Sequence, residues 1–264
     1  MPPTTTAYIS SNYTEFIGAI RVPTIRIALV QFDARPEDVA GNIDKMHTIV
    51  SQARDHGARW VIFHESTICD YTEQLQKYAE PVPGGRSTSS MMTLAREQDC
   101  FISFGLSEVD DDRFYISQIF VGPQGLVYRY RKTWIWSDPT DTGYRNEWAR
   151  YDPGTGPALF EFDGVRATCF ICSDGESPRC IERARALRPQ VVVYPNNRRA
   201  MPAIDEFGTL VRQLDAPMLA CNRTGTSWVH ACHGGSVAYS GSGDVLAMAN
   251  RNGREEILIC DLDL

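Results

Sequence analysis

The sequence predicts an α/β layered fold with helices on the outside, and three observations predict it. Apolar, β-branched runs of strand length alternate along the chain with apolar stripes at three- and four-residue spacing. Turn signals join several of the runs into hairpins. The 264 residues, 43% hydrophobic and 22% charged, suffice for one sizeable core without forcing a second domain.

Residues 1–24 read as an N-terminal extension and residues 25–264 as the folded domain. Tyr8, Ile9, Tyr13, Phe16 and Ile17 are too apolar for a merely solvated tail. Ile25 to Phe32 is the first strand. Val39, Ile43, Met46, Ile49, Val50 and Ala53 then mark one face of a helix, with Gly57 where a C-cap would lie. Trp60 to Phe63 is a short strand ending at His64-Glu65. A second helix is expected over Ser87 to Gln98, opened by a cluster of Ser and Thr suited to cap it.

Cys100 to Ser107, Tyr115 to Val121 and Leu126 to Arg131 read as strands, the last two joined by a turn at Pro123-Gln124-Gly125. Ser137 to Pro157 is polar and turn-rich, a long loop. Ala158 to Phe162 and Val165 to Ile171 flank Asp163-Gly164, a strong two-residue hairpin signal. A helix near Ser177 to Leu187 leads to the strand Gln190 to Tyr194, and one near Ile204 to Leu214 leads to Met218 to Cys221. Gly235 to Tyr239, Val245 to Ala249 and Glu256 to Leu262 are the last strands.

Composition excludes some function classes. A formal charge of −7 and a pI near 5.3 argue against nucleic acid or an anionic membrane as partner, since both reward basic patches. No apolar run approaches the length needed to span a bilayer. The first two dozen residues lack a basic n-region followed by an apolar h-region, so no secretory signal is read. The eight cysteines are expected to be reduced, mostly buried thiols of a cytoplasmic protein.

At three places a reactive polar group ends an apolar strand, where the loops of α/β proteins gather. Glu65 ends Trp60 to Phe63, Lys132 ends Leu126 to Arg131, and Cys172 ends Val165 to Ile171. Taken singly, a strand-end Glu or Lys is more often a solvated charge, and a lone Cys an inert thiol. Together, Phe63-His64-Glu65, Tyr130-Arg131-Lys132-Thr133 and Ile171-Cys172-Ser173-Asp174 resemble the Glu–Lys–Cys signature of the nitrilase, or carbon–nitrogen hydrolase, superfamily. Further matches run from Ile25 to Leu262, among them Ala28-Leu29-Val30-Gln31, Pro81-Val82-Pro83-Gly84 and Cys221-Asn222-Arg223-Thr224-Gly225. The sequence departs from the pattern at His64, where Pro is usual, at Ser177-Pro178-Arg179, where Phe-Pro-Glu is usual, and at Asn196-Asn197-Arg198-Arg199. No departure removes a reactive group; they bear on the substrate.

The resemblance implies a four-layer α-β-β-α sandwich. It also implies hydrolysis of a small amide, N-carbamoyl compound or nitrile, with no cofactor and no metal. Cys172 would be the nucleophile, its thiolate favoured by Lys132 and a helix N-terminus. Glu65 would shuttle the proton, and Lys132 with the Ser173 N–H would hold the oxyanion. Glu147, six residues before Pro153-Gly154, matches a second glutamate of many members and would orient Lys132 or the substrate nitrogen. A solvated loop carboxylate is the plainer reading of Glu147. Substrate contacts are expected from Ser173, Glu176, Asn197 and Arg198. An arginine (Arg179, Arg198 or Arg199) would hold a carboxylate, or Glu176 an amino group, and Tyr71, Trp134, Trp136 and Trp148 would wall the pocket.

Amide or N-carbamoyl hydrolysis ranks ahead of nitrile hydrolysis to acid and ammonia, and ahead of a non-catalytic binding or regulatory role. Cys169-Phe170-Ile171-Cys172 has redox or zinc spacing, but it ends a strand, has no second Cys-x-x-Cys, and meets only poorly spaced His230, Cys232 and His233. A Cys–His hydrolase would have to draw on His233. The resemblance also implies a homodimer or larger assembly. The chain ends soon after its last strand, so the N-terminal extension is expected to stand in for a C-terminal tail that often crosses the partner.

Overall fold

A computed structural model of the protein describes residues 24–137, 146–227 and 231–264. The extension read at residues 1–24, apart from Thr24, lies outside the described residues, as do the middle of the long loop and His230.

The first half of the chain runs β1 (Thr24–Gln31), α1 (Val39–Asp55), β2 (Trp60–Ile62), α2 (Leu75–Tyr78), α3 (Arg86–Glu97), β3 (Phe101–Asp110), β4 (Arg113–Gly122) and β5 (Gly125–Arg131). Then come β6 (Phe160–Phe162), β7 (Val165–Cys169), α4 (Pro178–Leu187), β8 (Val191–Asn196), α5 (Ile204–Leu214) and β9 (Met218–Asn222). A short ribbon of β10 (Thr224–Thr226) and β11 (Ala231–His233) precedes β12 (Val237–Tyr239), β13 (Val245–Met248) and β14 (Glu256–Asp263). No helix among the described residues is long and apolar enough to cross a membrane.

The strands form two six-stranded sheets, ordered β14-β1-β2-β3-β4-β5 and β13-β12-β9-β8-β7-β6. Side-chain alternation distributes the apolar residues over three cores. Ile27 and Leu29 of β1, Trp60 and Ile62 of β2, Val191 and Val193 of β8, and Leu219 and Cys221 of β9 point between the sheets. Their neighbours Ala28, Val30 and Val61 point instead onto α1 and α3. Val192, Tyr194, Met218 and Ala220 point onto α4 and α5. The layers are therefore α-β-β-α. Central strands buried on both faces read as unbroken apolar runs in the sequence for this reason.

An aromatic cluster fills the space between the sheets. Phe162 of β6 lies 4.8 Å from Trp60, 5.1 Å from Phe101 and 5.3 Å from Phe120, measured between ring centres. The Asp163-Gly164 turn that positions Phe162 has both residues at positive φ, 55° and 77°, as a type I′ hairpin needs.

Two local expectations are corrected. No side chain of the Ser and Thr cluster caps α3. The carboxylate of Glu80, arriving from the preceding loop, accepts from the Ser87 N–H at 2.7 Å and the Ser87 hydroxyl at 2.6 Å. The strand expected to reach Ile171 stops at Cys169, because the Ile171 N–H leaves the ladder for the Asp174 carboxylate at 2.9 Å.

Candidate active site

Glu65 lies three residues beyond the end of β2, and the backbone there is held tightly. Phe63 N–H donates to the Ser103 carbonyl at 2.8 Å, continuing the pairing with β3. Gly105 on β3 permits the close approach that follows, since a Cβ there would sit 2.3 Å from the Ser66 nitrogen. His64, the unusual neighbour, is fully buried and its Nδ1 donates to the Glu65 carbonyl at 2.7 Å. Burial, with the nearby Arg223 charge, pushes its imidazole down to about 3, so it is neutral. It serves as a backbone prop.

Lys132 follows β5, its N–H still bonded to the Ile116 carbonyl at 2.8 Å. Its ammonium lies 2.8 Å from a Glu65 oxygen and 2.8 Å from a Glu147 oxygen, with all three side chains buried. Glu147 opens a single 3₁₀ turn, Glu147–Ala149, inside the long loop. Its second oxygen accepts from the Trp136 N–H at 2.9 Å, and its first accepts the Tyr71 hydroxyl at 2.6 Å. Tyr71 thereby comes within 3.2 Å of Glu65 as well. The solvated-carboxylate reading of Glu147 does not hold.

Burial acts against each charge in this cluster, and the partners decide the outcome. Burial alone would lower the Lys132 ammonium, but Glu147 and Glu65 together hold it well above its ordinary range. The Glu65 carboxyl is held up by burial, pulled down by Lys132 and pushed up again by Glu147, ending above its ordinary range. Its Oε2 is buried without a hydrogen-bond partner. An unpaired carboxylate oxygen there is available to take a proton.

Cys172 begins a five-residue 3₁₀ turn, Cys172–Glu176, separated from β7 of the second sheet by Phe170 and Ile171. Its φ of +45° is left-handed, a conformation costing a non-glycine residue roughly 1–2 kcal/mol. The surrounding bonds enforce it. The Tyr194 hydroxyl donates to the Cys172 carbonyl at 2.5 Å. The Asp174 carboxylate accepts from the N–H groups of Ile171, Thr133 and Trp134 at 2.9, 3.0 and 2.6 Å, and from the Tyr130 hydroxyl at 2.9 Å. Ser173 Oγ donates to the Trp134 carbonyl at 2.5 Å. Asp174 and Ser173 thus bind the nucleophile turn of one sheet to the Lys132 segment of the other.

The expected thiolate is corrected. Burial, reinforced by the Glu65 charge, pushes the Cys172 thiol up to about 12, against the opposing pull of Arg198 and Lys132. The helix α4 begins only at Pro178, beyond the turn, so its N-terminus does not end at the sulfur. Burial thus favours the protonated thiol over the expected thiolate.

The remaining expected site residues divide. Glu176 and Arg198 pair with each other at 2.7 Å. The Arg198 backbone is fixed on both sides by the Asn222 side chain. Asn197 turns into a buried polar cluster, donating to Asp70 at 3.0 Å, where Asp70 also pairs with Arg223 at 2.6 Å and accepts from Ser227 at 2.8 Å. Arg179 is exposed on α4. Trp134, Trp136 and Trp148 expose 52, 40 and 66% of their surface, whereas the Tyr71 hydroxyl is inside the cluster. Cys169 donates to the Phe170 carbonyl, and all eight cysteines are free. His233 is exposed on β11. Among the described residues no group of three or more His, Cys, Asp or Glu is placed to hold a metal ion.

Comparison with known proteins was consistent at three levels. Residues 26–264 match the family described as carbon-nitrogen hydrolase. An (R)-stereoselective amidase from a Pseudomonas species is 29% identical over 90% of this chain and 86% of its own length. A nitrilase from Pyrococcus abyssi is 27% identical over 91% of this chain and 90% of its own. Among solved structures, a mutant of the amidase from Nesterenkonia sp. AN1, with acrylamide added at its active-site cysteine, superposes with a TM-score of 0.78. It is 21% identical and covers 90% of this chain and 93% of its own. A further mutant of that amidase in complex with butyramide also has a TM-score of 0.78, at 20% identity, covering 90% of this chain and 91% of its own.

Proposed function

This chain belongs to the carbon–nitrogen hydrolase family, and on that premise we propose that it hydrolyses the C–N bond of a small, uncharged amide through a Cys172 thioester. The observation that carries the reading is the buried Glu65–Lys132–Glu147 cluster, one ammonium 2.8 Å from each of two carboxylates, beside a strained cysteine.

The chemistry follows from the protonation states. The Cys172 sulfur attacks the amide carbonyl carbon while its proton passes to Glu65, whose raised pKa makes it the stronger base a neutral thiol requires. The carbonyl oxygen becomes an oxyanion held by the Lys132 ammonium and the Ser173 N–H; losing one such donor typically costs about 2.7–4 kcal/mol of barrier. Collapse breaks the C–N bond, and Glu65 returns the proton to the departing amine or ammonia. Water then attacks the thioester, Glu65 takes its proton, and collapse releases the acid and restores the thiol. Glu147 keeps Lys132 charged and aimed throughout.

An uncharged substrate is supported by the pairing of Glu176 with Arg198, which leaves neither as an open partner for an ionic group. The exposed indoles of Trp134, Trp136 and Trp148, close in sequence to Lys132 and Glu147, support an apolar substituent. Nitrile hydrolysis through the same cysteine is the second reading, favoured by the similarity to the Pyrococcus abyssi protein, itself described as a nitrilase. The same proposal includes a homodimer or larger assembly and, consistent with eight unpaired thiols, a reducing cytoplasmic setting.

Intact-mass measurement during turnover of an aryl or alkyl amide tests the reading. An acyl adduct on the wild type, absent from Cys172→Ala, is expected, with neutral amides turned over faster than acidic or cationic analogues. Undiminished turnover by Cys172→Ala would sink the mechanism, and equal rates on all three amide classes would sink the substrate assignment.

A further inference from the structure

The five-residue turn carrying Cys172 is clasped at both ends from β8 and the segment that follows it. At its start, the Cys172 carbonyl accepts the Tyr194 hydroxyl at 2.5 Å. At its end, the Glu176 carboxylate pairs with Arg198 at 2.7 Å. The clasp is closed on itself, because Arg198 Nη2 lies 3.4 Å from the Tyr194 hydroxyl and its Nε donates to Asn196 at 2.9 Å. Gly175 completes the fit: a Cβ there would sit 2.2 Å from the Tyr194 oxygen, so the turn lies directly on the phenol.

The two arms differ in environment. Tyr194 is buried among Phe170 and Phe207, ring centres 5.8 and 5.7 Å away, and its position is fixed. Glu176 is 55% exposed, at the edge of a cavity of about 140 Å³ that Arg198, Tyr194, Glu206 and Phe207 also line. The Arg198 side chain is only 19% exposed. Its charge lies largely shielded from water, one hydroxyl away from the Cys172 carbonyl, and one exposed carboxylate offsets it.

We propose that Tyr194 and Arg198 are positioning residues for Cys172, the phenol holding its left-handed backbone and the guanidinium placing a permanent positive charge at the far side of that phenol, against the turn that carries the sulfur, with Glu176 setting how much of that charge reaches the turn. The proposal rests on Cys172 being the reactive thiol. It adds a control that the Glu65–Lys132–Cys172 arrangement does not contain.

The test is site-specific alkylation of Cys172 by iodoacetamide as a function of pH, read by peptide mass, with kcat and KM measured in parallel. Arg198→Gln should slow alkylation at a fixed pH by about tenfold, one unit of thiol pKa. Arg198→Lys should restore the alkylation rate without restoring kcat, because an ammonium keeps the charge but cannot bridge Tyr194, Asn196 and Glu176. Glu176→Gln, at an exposed position, should move the profile the opposite way and speed alkylation. Tyr194→Phe should lower kcat about tenfold, with KM within about twofold and the alkylation profile in place. Alkylation shifts of the same sign for Arg198→Gln and Glu176→Gln, or no shift in either, would overturn the proposal, as would wild-type kcat in Tyr194→Phe. If Arg198→Gln fails to fold, the sign of the Glu176→Gln shift still decides the matter. Active Cys172→Ala would defeat the amidase reading alone, because alkylation reports on the thiol whether or not it turns over substrate.

Discussion

Replacing Lys132 by Met removes the one positive charge between two buried carboxylates and nearly preserves side-chain volume. At 2.8 Å, each contact amounts to about 6 kcal/mol of attraction for an effective dielectric constant of about 20. Much of that is offset in the wild type by the cost of burying the ammonium, so the net loss expected is about 3–5 kcal/mol, as for other buried pairs stripped of one partner. The loss should depend on pH in a defined direction. Burial and Glu147 already hold the Glu65 carboxyl above its ordinary range, and Lys132 is the main group pulling it down. Without Lys132 its folded-state pKa rises further above the unfolded value. The stability of such a group is fully present below the unfolded pKa and disappears as pH rises through the folded pKa, by about 1.4 kcal/mol per unit for one proton. Urea denaturation of Lys132→Met and wild type at about pH 5 and about pH 8 should therefore show the smaller difference at the lower pH. A deficit that is independent of pH, or larger in acid, would refute the charge assignment of the cluster.

Three other outcomes follow from the same structure. On the proposed role of Glu65 as base, with its carboxyl raised, kcat/KM should fall on acidification with a midpoint above the ordinary glutamate value of about 4.3; a limb below it would contradict the role. Phe162→Ala empties the centre of the aromatic cluster between the sheets and should cost about 3–5 kcal/mol in chemical denaturation; a loss under about 1 kcal/mol would mean that the sheets close without it. Gly175→Ala places a Cβ 2.2 Å from the Tyr194 oxygen and should cost about 1–3 kcal/mol while lowering kcat roughly 100-fold, since the turn and not the buried ring must move; wild-type kcat would show the turn to be less constrained.

Much of this arrangement is legible in the residues because it depends on local rules. Asp163-Gly164 specifies a turn that only two positive φ angles can make, and Ser177 before Pro178 specifies a helix start that the structure repeats, its side chain accepting from the Cys180 N–H. Reactive groups after apolar strands are likewise a local pattern, which singles out Glu65, Lys132 and Cys172 as candidates, while their joint assignment comes from the resemblance to the carbon–nitrogen hydrolase signature. What depends on non-local packing was not legible. Alternation of strands and helices does not say which strand joins which sheet, so nothing in the sequence couples Asp174 to Thr133 and Trp134. The one signal of Asp174 in the sequence is a carboxylate two residues after the cysteine. The pairing of Glu176 with Arg198 and the Tyr71 contact with Glu147 have the same origin in tertiary approach. The thiolate expectation failed for a related reason: the nearest positive charges were visible in sequence, but the burial that outweighs them was not.

Glu65 and Lys132 hang from one sheet and Cys172 from the other, and what spaces them, besides the Asp174 and Ser173 bonds to Thr133 and Trp134, is the layer of side chains in the middle. The distance between Glu65 and Cys172 is thus in part a thickness. A substitution in that layer remote from Glu65 and Cys172, one that thins or swells it by a fraction of an ångström, should change the gap between the proposed base and the sulfur before it unfolds anything. Turnover should consequently fade at denaturant concentrations where both sheets are still intact, making activity a finer gauge of their spacing than any spectroscopic signal of unfolding.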